Sequence, residues 1–503
     1  MADLSLDVSN AKGALTGDRF IESLRDGREV WLDGERVKDV TKHPAFTGAI
    51  REFARIYDLQ HDPAFKDRMT FDSVYSGKKV SRSWQLPNTA AEMREKADNT
   101  WVWMEQSWGQ LGRTPDFMAG VLNGWVNIKD QLAAVRPMFG ENVVNYHRFC
   151  MEHDVSLTHA IGDPQINRAD VFHNPLDEPD MALRVVEEKS EGVVLRGAKQ
   201  LATLAPISNE ILVYLSATFS RRAKDEFVQW FGIPMNTPGL KIICREPLSV
   251  PATGHAYPFS SRYDEQDAMV FFDDVLVPWE RIFMLYDREA AVRLMGAAGF
   301  GRGVNSTMIR YYNRLLTYVG TTLLIADAIG VDGFPEVREK LGELAMYAEI
   351  QRLSLSAQQA DAEGRIESAR TGDPYSPFAP AGGALQNWTA MTSQRVAQIL
   401  REVGGSGLLM QPSDKDLHSA ELRPYLDRYM RGAGVDVEYK SRLYRMGADL
   451  TLSTFSNRQE LYEYWHGGDP TRNRTNVFLR HDRSWITERV HQLIQEIGDA
   501  AGN

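Results

Sequence analysis

Apolar residues recur with two different periods along this 503-residue chain, and the changes between them divide it into three parts. From about Thr16 to Cys150 the apolar residues recur mostly at helical spacing. Thr16 is expected to cap the first of these helices. Between about Asp154 and Ile282, short runs rich in β-branched and aromatic residues predict strands. After Arg281 the helical period returns and continues almost to the C-terminus.

Strands and helices can be assigned individually from these patterns. Pro115 is expected in the first turn of a helix, and Gly404–Gly407 at the end of one. A Pro/Gly-rich loop is expected at Asp373–Gly383. The strand candidates are Ala182–Glu188, Gly192–Gly197, Glu210–Leu215, Leu240–Cys244 and Asp267–Phe272, and the long C-terminal helices are Ser306–Ala328, Pro335–Ala362 and Leu385–Val403.

The three parts predict a fold of the α+β class that is mostly α. We expect an N-terminal helical domain over residues 1–153 and a central β-barrel or sandwich over 154–284. A C-terminal helical bundle with a tail would follow over residues 285–503. Helices, then a β-domain, then a helical bundle is the order of the acyl-CoA dehydrogenase fold, although fold alone does not give function.

Composition narrows the class of protein. The chain is 43% apolar and 25% charged with a net charge of −11, as in ordinary globular proteins, and no basic stripe suggests nucleic acid as a partner. Neither Cys150 nor Cys244 lies in a spacing typical of zinc or iron–sulfur sites, so no metal is expected. Two lone cysteines, no signal peptide and no long apolar run predict a cytoplasmic protein that is not bound to membranes.

Two side chains have the chemistry to bind an oxygen atom of a ligand. Arg113 precedes the helix predicted at Pro115, and a fixed cation there could stabilise a phenolate or a flavin oxygen. The alternative is an ion pair with a neighbouring carboxylate such as Asp116. His159 lies where the β-pattern begins and suits a hydrogen-bond partner or base for a hydroxyl. A core histidine satisfied by its neighbours is the alternative there.

Three further segments could contact a cofactor. Asp163–Arg168 carries side chains that can bind a phosphate or a ring carbonyl. Thr203 is a hydroxyl among small apolar residues, and small polar residues surround Phe455. Each has a structural alternative: a polar turn, a threonine bonded to its own backbone, and a junction between helices.

The order of these segments resembles the 4-hydroxyphenylacetate 3-hydroxylase family, the oxygenase halves of two-component flavin monooxygenases. The resemblance covers about residues 10 to 475. It rests on Arg113-Thr114-Pro115-Asp116, on Thr158-His159-Ala160 followed by Pro164-Gln165 and Arg168, on Ala202-Thr203-Leu204-Ala205-Pro206, on Val277–Arg281 and on Arg458–Glu463.

The resemblance implies a homotetramer that receives FADH2 from a separate NAD(P)H:flavin reductase. With O2 it would form a C4a-hydroperoxyflavin and hydroxylate a phenol at the ortho carbon, giving a catechol. Arg113 and His159 would be catalytic, and Phe117, Ala217 and Thr218 would also contact substrate. The residues that would line the flavin are His159, Ala160, Ile161, Gly162, Gln165, Ile166, Asn167, Arg168, Thr203, Thr454, Phe455, Ser456 and Asn457.

One departure concerns the substrate. The phenylacetate hydroxylases of the family carry Tyr where this chain has Phe117, so one hydroxyl that would bind the phenol is lost. A carrier-tethered tyrosine derivative, or a halo- or nitrophenol, is therefore an alternative substrate. No histidine follows Arg281 at the position used by halophenol members. More distant alternatives are an acyl-CoA dehydrogenase-like flavoenzyme and a non-catalytic binding protein.

Overall fold

Two β-sheets lie between two sets of helices in the computed structural model. The structure describes residues 3–165, 182–215, 224–248, 254–297, 300–370, 379–480 and 483–501. The helices that precede the main strands are α1 (Gly17–Ser23), α2 (Pro44–Asp58), α3 (Lys66–Met69), α4 (Ala90–Gln106), α5 (Pro115–Asn127), α6 (Lys129–Val135) and α7 (Pro137–His153). Thr16 caps α1 as predicted, because its side chain accepts a hydrogen bond from the Arg19 backbone.

The strands form a six-stranded sheet, a four-stranded sheet and a small hairpin. They are β1 (Glu29–Leu32), β2 (Glu35–Val37), β3 (Thr70–Asp72), β4 (Lys79–Ser81), β5 (Leu157–Ala160), β6 (Arg184–Glu188), β7 (Gly192–Thr203), β8 (Glu210–Val213), β9 (Gln229–Pro234), β10 (Leu240–Cys244), β11 (Asp267–Pro278) and β12 (Ile282–Leu285). The large sheet has the order β2-β1-β10-β11-β7-β6, and the second sheet has the order β12-β9-β8-β5.

A short helix, α8 (Ser260–Tyr263), precedes β11, and the described elements after β12 are helices. These helices are α9 (Arg288–Ala297), α10 (Phe300–Ala328), α11 (Pro335–Arg370), α12 (Ala379–Gly404), α13 (Asp414–Leu417), α14 (Arg423–Tyr429), α15 (Val437–Thr451), α16 (Thr454–Trp465), α17 (Pro470–Arg480) and α18 (Ser484–Ala501). The α10, α12 and α15 helices pack on one another, and α10 also packs on α4 and α5. This packing brings the segment before α5 close to α16.

The α+β, mostly α fold class is confirmed, and each predicted strand and long helix is present. Two expectations need correction. The β1 and β2 strands, in a part predicted from its pattern as mostly helical, extend the six-stranded sheet through a parallel pairing of β1 with β10. Within the loop predicted at Asp373–Gly383, residues 379–383 instead begin α12, because a proline is tolerated in the first turn of a helix; residues 373–378 lie outside the described part.

One continuous apolar core joins the N-terminal helices to both sheets, with Trp125 and Trp230 fully buried in it. Cys150 and Cys244 are buried free thiols. Among the described residues, no helix is long and apolar enough to cross a membrane. The same residues contain no cluster of His, Cys, Asp and Glu that could hold a metal ion.

Candidate active site

Arg113 is held in place through its backbone as well as its side chain. Pro115 begins α5 as predicted, so the preceding residues lie outside the helix. The buried Glu265 carboxylate accepts hydrogen bonds from the backbone N–H groups of Gly112 and Arg113, each at 2.8 Å. The guanidinium donates through Nη1 to the Tyr462 hydroxyl at 2.8 Å. Glu265 therefore fixes the turn that carries the cation.

An ion pair between Arg113 and Asp116, the alternative weighed above, is not what the structure contains. The Asp116 carboxylate is buried and accepts hydrogen bonds from Asn99 at 3.0 Å, Thr100 at 2.9 Å and Ser306 at 2.6 Å. These bonds join α5 to α4 and α10. The Asp116 side chain thus anchors the helix to its neighbours, and the charge of Arg113 is not neutralised by it.

Phe117 lies between the two predicted catalytic residues. The Arg113 guanidinium carbon is 4.8 Å from the centre of the Phe117 ring, and the His159 ring meets the same phenyl ring edge-on at 5.8 Å. Both contacts are favourable for an aromatic ring. Arg113 and His159, which are far apart in sequence and belong to different elements, therefore face one cluster with Phe117 at its centre.

The His159 imidazole is buried in strand β5, and its Nδ1 atom lies 2.6 Å from the Tyr214 hydroxyl. Burial, together with the nearby positive charge of Arg113, holds the pKa of His159 well below its ordinary value. Burial raises the pKa of Tyr214. At neutral pH the cluster therefore combines one cation with a neutral imidazole and a neutral phenol.

A second network surrounds Thr203 at the end of β7. Its hydroxyl donates to the Asp267 carboxylate at 2.7 Å, so it is bonded across the strands rather than to its own backbone. Arg458 binds the same carboxylate through Nε at 3.0 Å and Nη2 at 2.6 Å, and Arg245 adds a bond at 3.0 Å. Burial alone would raise the pKa of Asp267, but the charge and hydrogen bonds of Arg458, with Arg245 and Thr203, hold it far below its ordinary value.

These bonds bring the predicted flavin-lining segments together. Gly162 forms an isolated β-bridge with Gln200, and the Thr158 hydroxyl donates to the Thr203 carbonyl, so the segment that follows β5 lies beside the end of β7. Asp267 and Arg458 then connect Thr203 to the first turns of α16. In the first turn of α16, Thr454 and Asn457 are exposed, whereas Phe455 and Ser456 are buried.

The remaining predicted residues divide into two groups. Ala160 is buried, Ile161 and Gly162 are half-buried, and Gln165 is exposed at the end of a described segment. Ile166, Asn167 and Arg168, predicted to line the flavin, lie outside the described residues, as do Ala217 and Thr218, predicted to contact substrate.

Backbone strain and exposed apolar surface coincide beside Thr203. Leu201 is 66% exposed and has a φ of +58°, and Leu204 has a φ of +69°. Residues other than glycine seldom adopt this left-handed conformation, and such strain is concentrated at functional sites. An exposed leucine next to an anchored threonine is a suitable surface for a flat aromatic ring.

Sequence reasoning missed Tyr462, Tyr214, Glu265 and Asp267. Tyr462 is in the Arg458–Glu463 motif but was assigned no role; its ring contacts Arg113, Arg310 and Arg458 and stacks on His466. Tyr214 lies within the run predicted as a strand, Glu210–Leu215, two residues beyond Leu212, which pairs with His159. That spacing puts Tyr214 and His159 on one face of the sheet, but the signal is readable only once the register is known.

Helices on either side of two sheets place a cation and a neutral imidazole against one aromatic ring, an arrangement suited to binding a negatively charged oxygen. A family model described as 4-hydroxyphenylacetate 3-hydroxylase N terminal matches residues 16–284, and the corresponding C-terminal model matches residues 294–495. The chain belongs to the 4-hydroxyphenylacetate 3-hydroxylase family, which confirms the resemblance found in the sequence.

Individual relatives match over nearly their whole length. The 4-hydroxyphenylacetate 3-monooxygenase oxygenase component of Thermus thermophilus is 33% identical, over 96% of this chain and 98% of that protein. The (3S)-3-amino-3-(3-chloro-4-hydroxyphenyl)propanoyl peptidyl-carrier protein monooxygenase of Streptomyces globisporus is 32% identical, over 92% and 87%. A crystal structure of a 4-hydroxyphenylacetate 3-monooxygenase oxygenase component complexed with FAD and 4-hydroxyphenylacetate is 32% identical, with a TM-score of 0.88 and coverage of 97% and 100%.

Proposed function

We propose that this chain is the oxygenase component of a two-component monooxygenase. It would take FADH2 from a separate NAD(P)H:flavin reductase and hydroxylate a phenol ortho to its hydroxyl group, giving a catechol. The observation that carries the proposal is the pair formed by Arg113 and His159 around Phe117, in a chain of this family.

On the substrate side, Arg113 would bind the phenolic oxygen and stabilise the phenolate. A phenolate is more electron-rich than a phenol and is therefore better attacked by an electrophilic oxygen. The guanidinium is suited to this role because, among the described residues, no carboxylate pairs with it and its Nε atom is buried without a hydrogen-bond partner. His159, held neutral by its surroundings, would donate or accept one hydrogen bond at the same oxygen.

On the cofactor side, the residues present fit a flavin. Leu201 offers exposed apolar surface, Thr203 a hydroxyl oxygen, and the start of α16 the exposed polar side chains of Thr454 and Asn457. We propose that these positions line the flavin together with His159–Gly162, Gln165–Arg168, Phe455 and Ser456. Reduced FAD with O2 supplies the electrophilic oxygen when it is bound.

The chain's own contribution to the reaction is positioning and charge. Arg113 would hold the negative charge of the phenolate, Phe117 would pack against the substrate ring, and the aromatic walls would exclude water. Exclusion of water lowers the local dielectric and so strengthens the attraction between Arg113 and the phenolate. Ala217 and Thr218 remain part of the proposed substrate site.

Phe117 favours a second candidate substrate class. A site without a hydroxyl at this position offers one hydrogen-bond partner fewer to the phenolic oxygen of 4-hydroxyphenylacetate, so the affinity for that phenol should be lower. A tyrosine derivative tethered to a carrier protein, or a substituted phenol, is the second candidate.

We further propose a homotetramer located in the cytoplasm. Every described side chain from Arg483 to Gly498 in and before α18 is exposed, although apolar residues repeat along one face of this helix. Trp485, Ile494 and Ile497 are each about 60% exposed. A second copy of the chain covering this face would explain why it is apolar. Buried free thiols suit a reducing compartment.

We retain the three-domain division at residues 153/154 and 284/285 as a proposal. The α7 helix ends at His153, and β12 ends at Leu285, one residue past the second boundary. The pairing of β1 with β10 means that an excised central segment would lose part of its sheet.

Product analysis tests the proposed function. Purified protein, a flavin reductase, NADH, FAD and air are incubated with a panel of phenols that includes 4-hydroxyphenylacetate and a carrier-tethered tyrosine. Formation of a catechol from at least one phenol supports the proposal. Conversion of oxygen to peroxide with every member of the panel would count against it.

A further inference from the structure

The hydrogen bond between His159 and Tyr214 has no part in the function proposed so far. It joins two buried side chains, and the 2.6 Å distance between Nδ1 and the hydroxyl is short. The sheet places them together because β5 and β8 run parallel with His159 opposite Leu212, and Tyr214 is two residues further on the same face. The backbone N–H of Tyr214 also bonds to the Ala160 carbonyl at 3.4 Å.

The Tyr214 ring is held from its other side as well. Trp125 meets it edge-on at 5.3 Å and in turn stacks on Trp230 at 5.3 Å. These aromatic residues are buried, so the hydroxyl has little freedom to leave His159. The geometry is that of a side chain that orients an imidazole from behind.

A neutral imidazole carries its proton on one nitrogen only, and a hydroxyl that donates to one nitrogen places the proton on the other. Among the described residues, the Tyr214 hydroxyl is the one hydroxyl that bonds to the His159 ring. Phe117, which meets the imidazole edge-on, has no polar side-chain atom and cannot bond to it. If the Tyr214 hydroxyl donates to Nδ1, the proton of His159 is on Nε2. An Nε2–H group stabilises a phenolate oxygen, whereas an unprotonated Nε2 does not.

We propose that Tyr214 is a positioning residue that donates its hydroxyl proton to Nδ1 of His159 and so fixes an Nε2–H donor for the phenolate. This inference rests on the proposed function for its substrate, a phenol bound as its anion. Arg113 and the Nε2–H group of His159 are then the two donors at the phenolic oxygen. No proton is transferred to His159, and the phenol proton leaves to solvent on binding.

A chromogenic phenol tests this without turnover. 4-Nitrophenol is titrated into the flavin-free protein at several pH values, and the absorbance of bound nitrophenolate gives its affinity and its pKa. Wild type should bind the anion in preference to the neutral phenol. Tyr214→Phe should weaken anion binding about 3- to 10-fold, the usual effect of one lost hydrogen bond, because His159 no longer has a fixed tautomer. In the described part of the chain, the titratable or charged groups that face the His159 imidazole, and so influence the pH dependence of binding, are Arg113 and Tyr214.

A matched control is Tyr57→Phe, which removes the hydroxyl of another fully buried tyrosine that packs on Phe20 and Trp103. This variant should bind nitrophenolate as wild type does. Equal weakening by both substitutions would show a general effect on stability and would overturn the role given to Tyr214.

Nuclear magnetic resonance of ¹⁵N-labelled histidine reads the tautomer directly and needs no ligand. The resonances of His159 are assigned by their loss in His159→Asn. The proposal expects the Nε2–H form in wild type and a mixture in Tyr214→Phe. An Nδ1–H form in wild type would overturn it, even if the variant fails to fold. Failure of wild type to bind any phenol would contradict the proposed function, whereas the tautomer measurement tests Tyr214 separately.

Discussion

Replacing Arg113 with glutamine should selectively remove the cation from the phenol site. The side chain is half-buried, its turn is held by Glu265, and its guanidinium has the Tyr462 hydroxyl at 2.8 Å and the Phe117 ring at 4.8 Å. Glutamine retains a hydrogen-bond donor but has no charge. The fold should be largely unaffected, because Glu265 binds backbone N–H groups that every residue except proline provides.

The magnitude follows from the bond that is lost. A hydrogen bond to a charged group contributes about 1.5–3 kcal/mol, so kcat/KM should fall about 10- to 150-fold. The loss of the cation–π contact with Phe117 costs about 0.5–1 kcal/mol of unfolding free energy. Arg113→Lys keeps the charge without the planar fork and should show an intermediate loss.

The assay measures catechol, peroxide and oxygen consumption together, since a weakened phenol site should separate oxygen use from product formation. Arg352→Gln is the matched control because this arginine is exposed on α11 and, within the described part of the chain, forms its ion pair with Glu349 of the same helix. It should behave as wild type. An Arg113→Gln enzyme within threefold of wild type in catechol formation would refute the reasoning.

Three further predictions address the cofactor side and the assembly. Asp267→Asn should lower the unfolding free energy by about 2 kcal/mol, because the largely buried Arg458 loses the nearer of its two charged partners, Asp267 and Glu265. Since the pKa of Asp267 is depressed in the folded state, its contribution is present above the unfolded pKa of about 3.9 and is lost as the pH falls below it. Urea unfolding should therefore show a shallower acid dependence in the variant. Leu201→Gly should leave thermal stability nearly unchanged, because relief of the strained positive φ offsets the larger conformational entropy that glycine loses on folding. The variant should bind flavin roughly 5- to 30-fold more weakly in a fluorescence titration, and unchanged binding would exclude Leu201 from the flavin surface. Deletion of residues 484–503 should give an assembly with fewer subunits by light scattering and leave the unfolding temperature of the subunit unchanged. An unchanged number of subunits would exclude α18 from the subunit contacts.

Local signals predicted most of the elements because they depend on neighbouring residues. Pro115 begins α5, and the runs predicted at Ala182–Glu188 and Gly192–Gly197 form the β6–β7 hairpin. The pairing of β1 with β10 was missed because it joins residues about two hundred positions apart, and no local period indicates such a contact. The start of α12 was not predicted, because the proline and glycines at its start have the composition of a loop.

The site was predictable in part for the same reason. Arg113 and His159 follow recognisable local motifs, but their partners come from distant elements. Tyr462 bonds to Arg113 across 349 positions, and Asp267 bonds to Arg458 across 191. Such partners depend on register and packing, which a single sequence does not specify.

The most direct test of the central claim is the fate of the oxygen atoms. The protein is incubated under ¹⁸O₂ with a flavin reductase and a phenol that it binds, and the product is analysed by mass spectrometry. The catechol should contain one ¹⁸O atom, on the carbon next to the original hydroxyl. The Arg113→Gln variant should lose most of this product while still consuming oxygen. A catechol with its new oxygen derived from water, or no labelled product from any phenol tested, would contradict the account.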